Sequence, residues 1–409
     1  MSKFSRPPSY YVLKRFKRNI PAMLGLGIIV VSVLLAIFAY LIIPDSTPMA
    51  NQMSLPLATK KPGFAVDVIK IKKNAAVEWG NIFERMLYGQ PPGEFFIPVS
   101  SVKVDEDYIY FSEYSDDEES AGALTRDMDS IHIADALFHL EPNIPLKREG
   151  NLISFTTIEG EKLQFNIQEL KKKADEITGR KIFILGTDRY GRDLFSRLVL
   201  GTRISLSVGL ISVLISLFIG VGMGSLAGFF RGWIDDAIVW LLNVVWSIPT
   251  LLLVIAITMA LGKGFWQVFI AVGLTMWVEV ARVVRGQIFS VREFEFVEAA
   301  KALGFRNERI ILKHILPNIM GPVIVISAAN FASAILLEAG LSFLGLGAQP
   351  PMPSWGMMIK ENYGYIIVDA AYLAVLPGLA IMIMVLAFTF VGSGLRDALD
   401  SKESVQVTV

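Results

Sequence analysis

The sequence contains no cysteine, which excludes disulfides, thiolate metal sites and cysteine nucleophiles. Such a composition suits an oxidising exterior. Histidine is scarce: His132, His139 and His314 are the three present. The first two lie seven apart, not a common metal-ligand spacing, so no metal site is expected and they read as surface or interfacial side chains. No phosphate-cradling loop of the GxxxxGK(S/T) kind occurs, so the chain is not expected to hydrolyse ATP by itself. No nucleophile–base pair stands out either. The reading is therefore of a non-enzyme without a bound cofactor and without a nucleic-acid partner. Charge is also sparse, at 19% of residues, with 38 basic side chains balancing 38 acidic ones.

Apolar residues fill that space. They make up 53% of the chain and gather in runs of about 20, the length that crosses a hydrocarbon core of about 30 Å. The N-terminus carries Lys3, Arg6, Lys14, Arg15, Lys17 and Arg18 with no acidic residue among them, and Ile20–Ile43 follows as an apolar run. That run is too long for a signal-peptide core and reads as an uncleaved first span with its basic flank in the cytoplasm. Five more spans are expected near Ile204–Ala227, Ala237–Leu261, Phe265–Val284, Met320–Leu344 and Tyr372–Val391. Six spans leave both termini cytoplasmic. Charge agrees: the segment after the fourth span holds Arg285, Arg292, Lys301, Arg306, Arg309 and Lys313, whereas the one after the fifth holds only Lys360.

Residues from about 45 to 185 differ in character. They hold the acidic clusters Asp105–Asp107 and Asp116–Glu119 and no run long enough to span. Asp107–Tyr114 alternates in part and predicts a strand. Asn151–Ile167 predicts two strands around a Glu-Gly turn, and Ile167–Lys181 a short helix stopped by Gly179. This stretch reads as a small α+β domain outside the cytoplasm, between the first and second spans.

The greasiest half of the chain is interrupted by EAAKALGFRNERIILKHILPN, Glu298–Asn318. Glu298 to Leu303 are strong helix formers, Gly304 permits a sharp turn, and Asn307 is placed to cap a second helix. Two short helices hinged at a glycine are expected. A smooth alanine face there suits close approach by another protein, and a solvated amphipathic loop is the alternative.

That pattern, Glu-Ala-Ala followed by Gly304 and Ile315-Leu316-Pro317, resembles the EAA loop of bacterial ABC importer permeases. GTDRYGRDLFSRLVLGTRISL (Gly186–Leu206), LLEAGLSFLGLGAQPPMPSWGMMI (Leu336–Ile359) and GLRDALD (Gly394–Asp400) resemble segments of the dipeptide/oligopeptide/nickel branch, in its second-permease type. The resemblance covers about half of the chain. It implies an all-α polytopic membrane protein of type I ABC importer fold with six transmembrane helices, carrying here an α+β extracytoplasmic insertion between the first two. The implied domains are 1–45 (basic tail and first helix), 46–182 (insertion), 183–400 (five-helix core with a coupling loop at about 286–319) and 401–409 (tail). The implied partners are a sister permease, two cytoplasmic ABC ATPases that carry ATP-Mg, an extracytoplasmic substrate-binding protein and the lipid bilayer. The implied location is the bacterial inner membrane, with residues about 45–200 outside the cytoplasm. The resemblance further implies import of peptides or related small solutes, each subunit forming half of the pathway.

For the ATPase contact the resemblance points to Glu298, Ala299, Ala300, Leu303, Gly304, Phe305 and Arg306. Gly186, Asp188, Gly191, Arg192, Asp193, Arg197 and Arg203 form the motif before the second span, read as a compact interfacial turn. Gly340, Gly345 and Gly347 suit helix packing, and Trp355 the headgroup zone. Asn243, Asn330 and Glu338 are pathway or gate candidates, with helix packing the alternative for Asn330. Many family members carry an acidic residue where Asn243 stands, so this chain departs from them in charge. Glu338 lies about 18 residues into the fifth span, roughly 27 Å along it, which predicts a place near the outer surface. Glu279 and Arg282 are spaced for a helix-face ion pair. Members of the family have a short first outer loop, and the resemblance says nothing about most of the insertion. A rival reading, an exporter or lipoprotein-releasing subunit with a large outer domain, predicts four spans and no Glu-Ala-Ala loop. A ligand sensor would need a cytoplasmic output domain, and the chain after Val391 is too short for one.

Overall fold

The computed structural model describes residues 8–72, 80–116, 128–141, 144–262 and 264–399. Lys3, Arg6, Asp117 to Glu119, Asp400 and the 401–409 tail lie outside the described residues. The chain divides into two compact units. One comprises Met1–Ala36, Gly201–Gly364 and Ala374–Val409, and the other Ile37–Leu200 and Tyr365–Leu373.

The first unit is helical. It contains α1 (Pro8–Arg18), most of α2 (Ile20–Ile42) and most of α6 (Leu194–Phe230). It continues through α7 (Gly232–Trp246), α8 (Thr250–Leu261), α9 (Phe265–Val291), α10 (Glu295–Ala302), α11 (Asn307–Phe343), α12 (Trp355–Asn362) and α13 (Tyr372–Leu399). Five helices, α2, α6, α9, α11 and α13, are long and apolar enough to cross a membrane. The expected third span is corrected: it is not one helix but α7 and α8, bent by 91° across Ser247–Pro249. Pro249, without an N–H and with φ held at −54°, stands as the N-cap of α8 and ends the run.

Helix packing here depends on small residues. Gly220, Gly224 and Gly228 recur every fourth residue on α6 and face Val280, Val284 and Ile288 of α9. A Cβ at any of the three would collide with α9, so the absent side chains set the distance of approach. Gly273 of α9 likewise faces Ile215, and Ser212 Oγ donates to Phe269 O at 3.2 Å beside it. At the other end of α9 an apolar cluster forms from Phe229, Val284, Ile288, Val297, Ala300, Ile310 and Ile315. By contrast, many apolar side chains of α2, such as Leu24, Val31 and Leu34, are uncovered within the chain. An apolar helix that is not covered by its own chain needs a hydrocarbon solvent or a partner helix.

The second unit is built on a sheet. Strands β1 (Phe64–Lys72), β2 (Glu94–Asp105), β3 (Tyr108–Glu113), β4 (Asp129–His132) and β8 (Thr178–Phe183) form one five-stranded antiparallel sheet of order β4-β3-β2-β1-β8. Strands β5 (Lys147–Glu149), β6 (Leu152–Thr156) and β7 (Lys162–Asn166) form a second. Among the described residues, the unit also holds the short α-helices α3 (Ile82–Tyr88), α4 (Ile133–Leu137) and α5 (Ile167–Ile177). One face of β1 presents Ile69 and Ile71 to a core shared with Phe111, Phe155, Leu137 and Leu170. The other presents Val66 and Val68 beside Leu57 and Phe183. This is period-2 alternation with both faces used.

The strands expected within Asp107–Tyr114 and Asn151–Ile167 coincide with β3 and with the β6–β7 pair, whose turn holds Gly160 at φ +81°. The helix expected over Ile167–Lys181 ends at Ile177, and Gly179, read as its stop, lies inside β8 opposite Val68. Asn166 supplies the N-cap of that helix by accepting from Gln168 N at 3.0 Å. His132 has a similar structural task, accepting from Ala134 N at 3.1 Å to start α4.

Candidate coupling ledge and pathway residues

The Glu298 segment is a rigid ledge. Helix α10 buries Val297 and Ala300 against Ile310, Ile311 and Ile315, and leaves Glu298 and Ala299 exposed. Leu303 follows at 72% exposure, a large apolar side chain with nothing in its own chain to cover it. Gly304 turns the chain at φ +75°, and a Cβ there would meet no atom within 4 Å. Its requirement is thus conformational and external, not internal packing. Phe305 stacks on His314 at 5.8 Å between ring centres, and the Arg309 guanidinium lies 4.3 Å from the Phe305 ring centre. Arg306 is exposed beside them.

The hinge of two short helices is half corrected. Its second arm is not a separate helix but the first turns of the 37-residue α11, reached through a π-helical turn at Ile310–Ile315. Asn307 is the first helical residue, and the cap position falls on Arg306 without a side-chain bond. The ledge therefore leads directly into a membrane-length helix.

The Gly186–Arg197 motif belongs to the second unit and is buried within it. Asp188 accepts from Arg192 Nε at 2.6 Å and from Tyr190 N and Arg192 N at 2.9 and 3.0 Å. Arg197 Nε stands 3.6 Å from the same carboxylate, with both side chains 2% exposed. Segment 54–60 covers this pair. Ser54 N donates to Tyr190 O at 3.1 Å and Thr59 N to Asp188 O at 3.0 Å. Lys60 N donates to Thr187 Oγ1 at 2.9 Å, and Thr187 Oγ1 in turn donates to Leu57 O. Gly186 and Gly191, at φ +80° and +71°, press against the backbone of Lys60 and Ser54, where no side chain fits. Asp193 accepts from Ser196 N at 2.8 Å and from Ser196 Oγ. Burial raises its carboxyl above the usual range, and those bonds oppose the rise. Arg203, by contrast, lies in the first unit and donates from Nε to Ala36 O of α2 at 2.8 Å.

The three pathway candidates do not converge. Asn243 is exposed on α7. Asn330 is 1% exposed, and neither its Oδ1 nor its Nδ2 has a partner among the described residues. Glu338 is likewise 1% exposed, covered by its own chain. Its Oε1 accepts from Ser342 Oγ at 2.6 Å, and Ser342 Oγ lies 3.3 Å from Ser354 Oγ. Ser354 caps α12 by accepting from Met357 N at 3.1 Å. This serine chain fastens the α12 segment to α11. Trp355, expected at the headgroups, is 2% exposed and packs beside Gly201. Of the packing glycines, Gly347 abuts Ser342, Gly345 turns at φ +81° near Lys360, and Gly340 has open space where its side chain would be.

A different group forms the first unit's cavity. About 300 Å³ opens at the α7–α8 bend, lined among others by Trp246, Thr250, Thr275, Glu279 and Ser333. Glu279 is exposed to it rather than bridged to Arg282, whose guanidinium lies 3.4 Å from the Trp246 ring centre. Nearby, Arg285 grips Asp235 with two bonds of 2.5 and 2.7 Å and joins α7 to α9.

Apolar helices packed on glycine, a bent helix pair with a mostly apolar cavity at the bend, and an exposed apolar ledge at the start of a membrane-length helix define a multi-span membrane protein of the transport class. The family model of the binding-protein-dependent transport system inner membrane component matches residues 220–405. That of the N-terminal TM domain of oligopeptide transport permease C matches residues 8–58. The chain is 42% identical over 218 residues to the glutathione transport system permease protein GsiD of Pectobacterium atrosepticum, covering 53% of this chain and 72% of that one. It is 45% identical over 217 residues to the dipeptide transport system permease protein DppC of Alkalihalophilus pseudofirmus, covering 53% and 71%. Among solved structures, the inward-facing MetNI methionine ABC transporter aligns at 20% identity over 50% of this chain and 97% of that one, with a TM-score of 0.42. The chain belongs to the binding-protein-dependent ABC importer permeases, in the oligopeptide permease C branch. It is an integral membrane, translocation-pathway subunit, and the exporter reading is not favoured.

Proposed function

We propose that this permease imports peptides or closely related small solutes, and that the Glu298–Arg306 ledge receives the motion of cytoplasmic ATPases. The observation that carries the second part is the ledge itself: an uncovered Leu303, an open Gly304 and a buried Val297–Ala300–Ile310 seat on the end of α11. Peptide chemistry is supported by the relatives named as dipeptide and glutathione permeases. In this reading a sister permease supplies the other half of the pathway, two ATPase subunits bind and hydrolyse ATP-Mg, and a binding protein delivers solute from outside. The chain itself is not an enzyme and holds no cofactor. The bent α7–α8 pair counts as one span of a six-span type I core, and both termini face the cytoplasm. The 46–182 insertion lies outside, where its lack of cysteine does no harm. The solute passes the cavity at Trp246, Glu279 and Ser333, more directly than it passes Asn330 or Glu338.

The cysteine-free chain allows a clean test. Leu303→Cys, the only thiol in the variant, should cross-link to an ATPase subunit in native membranes, whereas Lys103→Cys on β2 should not. Cross-linking of neither, in membranes shown to contain the assembled complex, contradicts the assignment.

A further inference from the structure

The insertion carries a cleft that import does not account for. It measures about 760 Å³ and is lined by Lys70, Lys72, Arg180 and Lys181 against two carboxylates, Asp45 and Glu94. Strand geometry explains the gathering. Lys70 and Lys72 follow Val66 and Val68 on the face of β1 opposite the main core, and their cross-strand partners on β2 are Phe96 and Glu94. Lys181 sits opposite Val66 on β8. Asp45 accepts from Thr47 N, Thr47 Oγ1 and Gln52 N at 3.0, 2.6 and 3.1 Å, and with Asp193 it supports the Lys181 ammonium only by charge at a distance, without an ion pair. Lys181 Nζ lies 3.6 Å from the Phe96 ring centre, and no carboxylate lies within ion-pair distance of it among the described residues. Burial pulls its pKa down to about 8, so the cleft holds an ammonium short of an anion.

The cleft's position names the anion's source. Its wall includes Pro44 to Thr47, the residues that leave the last turn of α2, and Gln90 to Gly93, which leave α3. Helix α3 is pinned beside that turn: Gln90 N donates to Ser46 O at 2.8 Å, and Gly89 packs on Tyr40. Yet α3 exposes Ile82, Phe83, Leu87 and Tyr88, at 58, 69, 59 and 72%. A seven-residue helix with four bare apolar side chains is ill-suited to water. At the level where an apolar membrane helix ends, it is well suited to the headgroup–acyl boundary. The geometry points to an anionic phospholipid site in the insertion: Lys70, Lys72 and Lys181 hold the headgroup phosphate while α3 dips its apolar side chains beside the acyl chains. The inference rests on α2 being a span and holds for either face of the membrane, so its failure leaves the transport reading intact.

The test uses the full-length chain by native mass spectrometry, with phosphatidylglycerol and phosphatidylcholine as probes. The wild type should retain phosphatidylglycerol over phosphatidylcholine. Lys72→Gln, at a half-exposed position, should lower that preference about fivefold, the worth of one cation at a charged surface. Lys70→Gln with Lys181→Gln should abolish it, and Lys103→Gln, elsewhere on β2, should leave it unchanged. Equal retention of the two lipids, or a double variant that keeps the preference, overturns the site. Displacement of phosphatidylglycerol by an equal concentration of sn-glycerol phosphate shows a soluble-anion site and overturns the lipid assignment. For α3, a polarity-sensitive dye on Leu87→Cys should be quenched by spin-labelled lipid in vesicles, and a dye that remains in water contradicts the insertion.

Discussion

The two units solve the burial of charge in opposite ways. In the second unit, Asp188 is closed in with Arg192 and Arg197 and roofed by segment 54–60, so a buried charge is met by opposite charge and backbone N–H groups. In the helical unit, among the described residues, Glu338 is met only by serine hydroxyls and the Asn330 side chain by no partner. Uncompensated polarity of this kind is affordable where neighbouring helices of another subunit or water along a pathway complete the bonding. The comparison teaches that the second unit meets its buried charge within itself, whereas the helical unit leaves buried polar groups for other partners to complete. Packing repeats the contrast, with alternating strand residues filling the insertion core and the α6 glycines admitting α9.

The contrast can be broken first at Asp188. Asp188→Ala leaves two buried guanidinium groups without their carboxylate and should cost about 4 kcal/mol of folding stability. Thermal unfolding of the purified chain would show it, and a change near zero would mean that the ion cluster is not structural. Gly224→Leu drives a side chain into Ala281 and Val284. It should cost about 3 kcal/mol by overpacking and reduce the amount of folded protein recovered from membranes. Asp235→Asn removes charge from a partly exposed grip on Arg285, and after discounting for solvent screening the loss should be about 1 kcal/mol.

Lys181 gives the smallest but most specific effect. With a pKa of about 8, its amine is about half neutral at pH 8, where an ordinary lysine near 10.4 is under about 1% neutral. The shift is downward, so the reactive neutral form appears at lower pH. Acylation followed by peptide mapping should therefore mark Lys181 ahead of exposed Lys103 between pH 8 and 10. Equal rates would show that Lys181 is solvated.

Much of the helical unit was legible because its signals are local. Runs of about 20 apolar residues mark α2, α6, α9, α11 and α13, and Glu298–Gly304 marks the ledge through helix propensity and a turn. Two further local signals were overlooked. Pro249 after Ser247-Ile248 announces the bend, and the fourfold spacing of Gly220, Gly224 and Gly228 announces the α6–α9 seam. What depends on distant sequence was not readable. The burial of Asp188 is one case, because its roof comes from residues about 130 positions away, as with Leu57 and Thr187. The burial of Glu338 is another, because depth along a helix says nothing of what covers it, and Ser342 and Ser354 close over it only in the fold. The basic cleft was hidden for the same reason: Lys70 and Lys181 become neighbours only through the pairing of β1 with β8.

The central claim is that motion enters through the ledge. At Gly304 a Cβ would meet no atom of its own chain within 4 Å, although φ +75° strains any side chain there, so Gly304→Trp directs its bulk outward over the ledge. Uptake and ATP hydrolysis should be measured together in the reconstituted complex. The account predicts that hydrolysis persists while solute uptake falls by at least about tenfold, equivalent to about 1.4 kcal/mol of lost coupling. Uptake at the wild-type rate, with the variant subunit present at wild-type level, would contradict it.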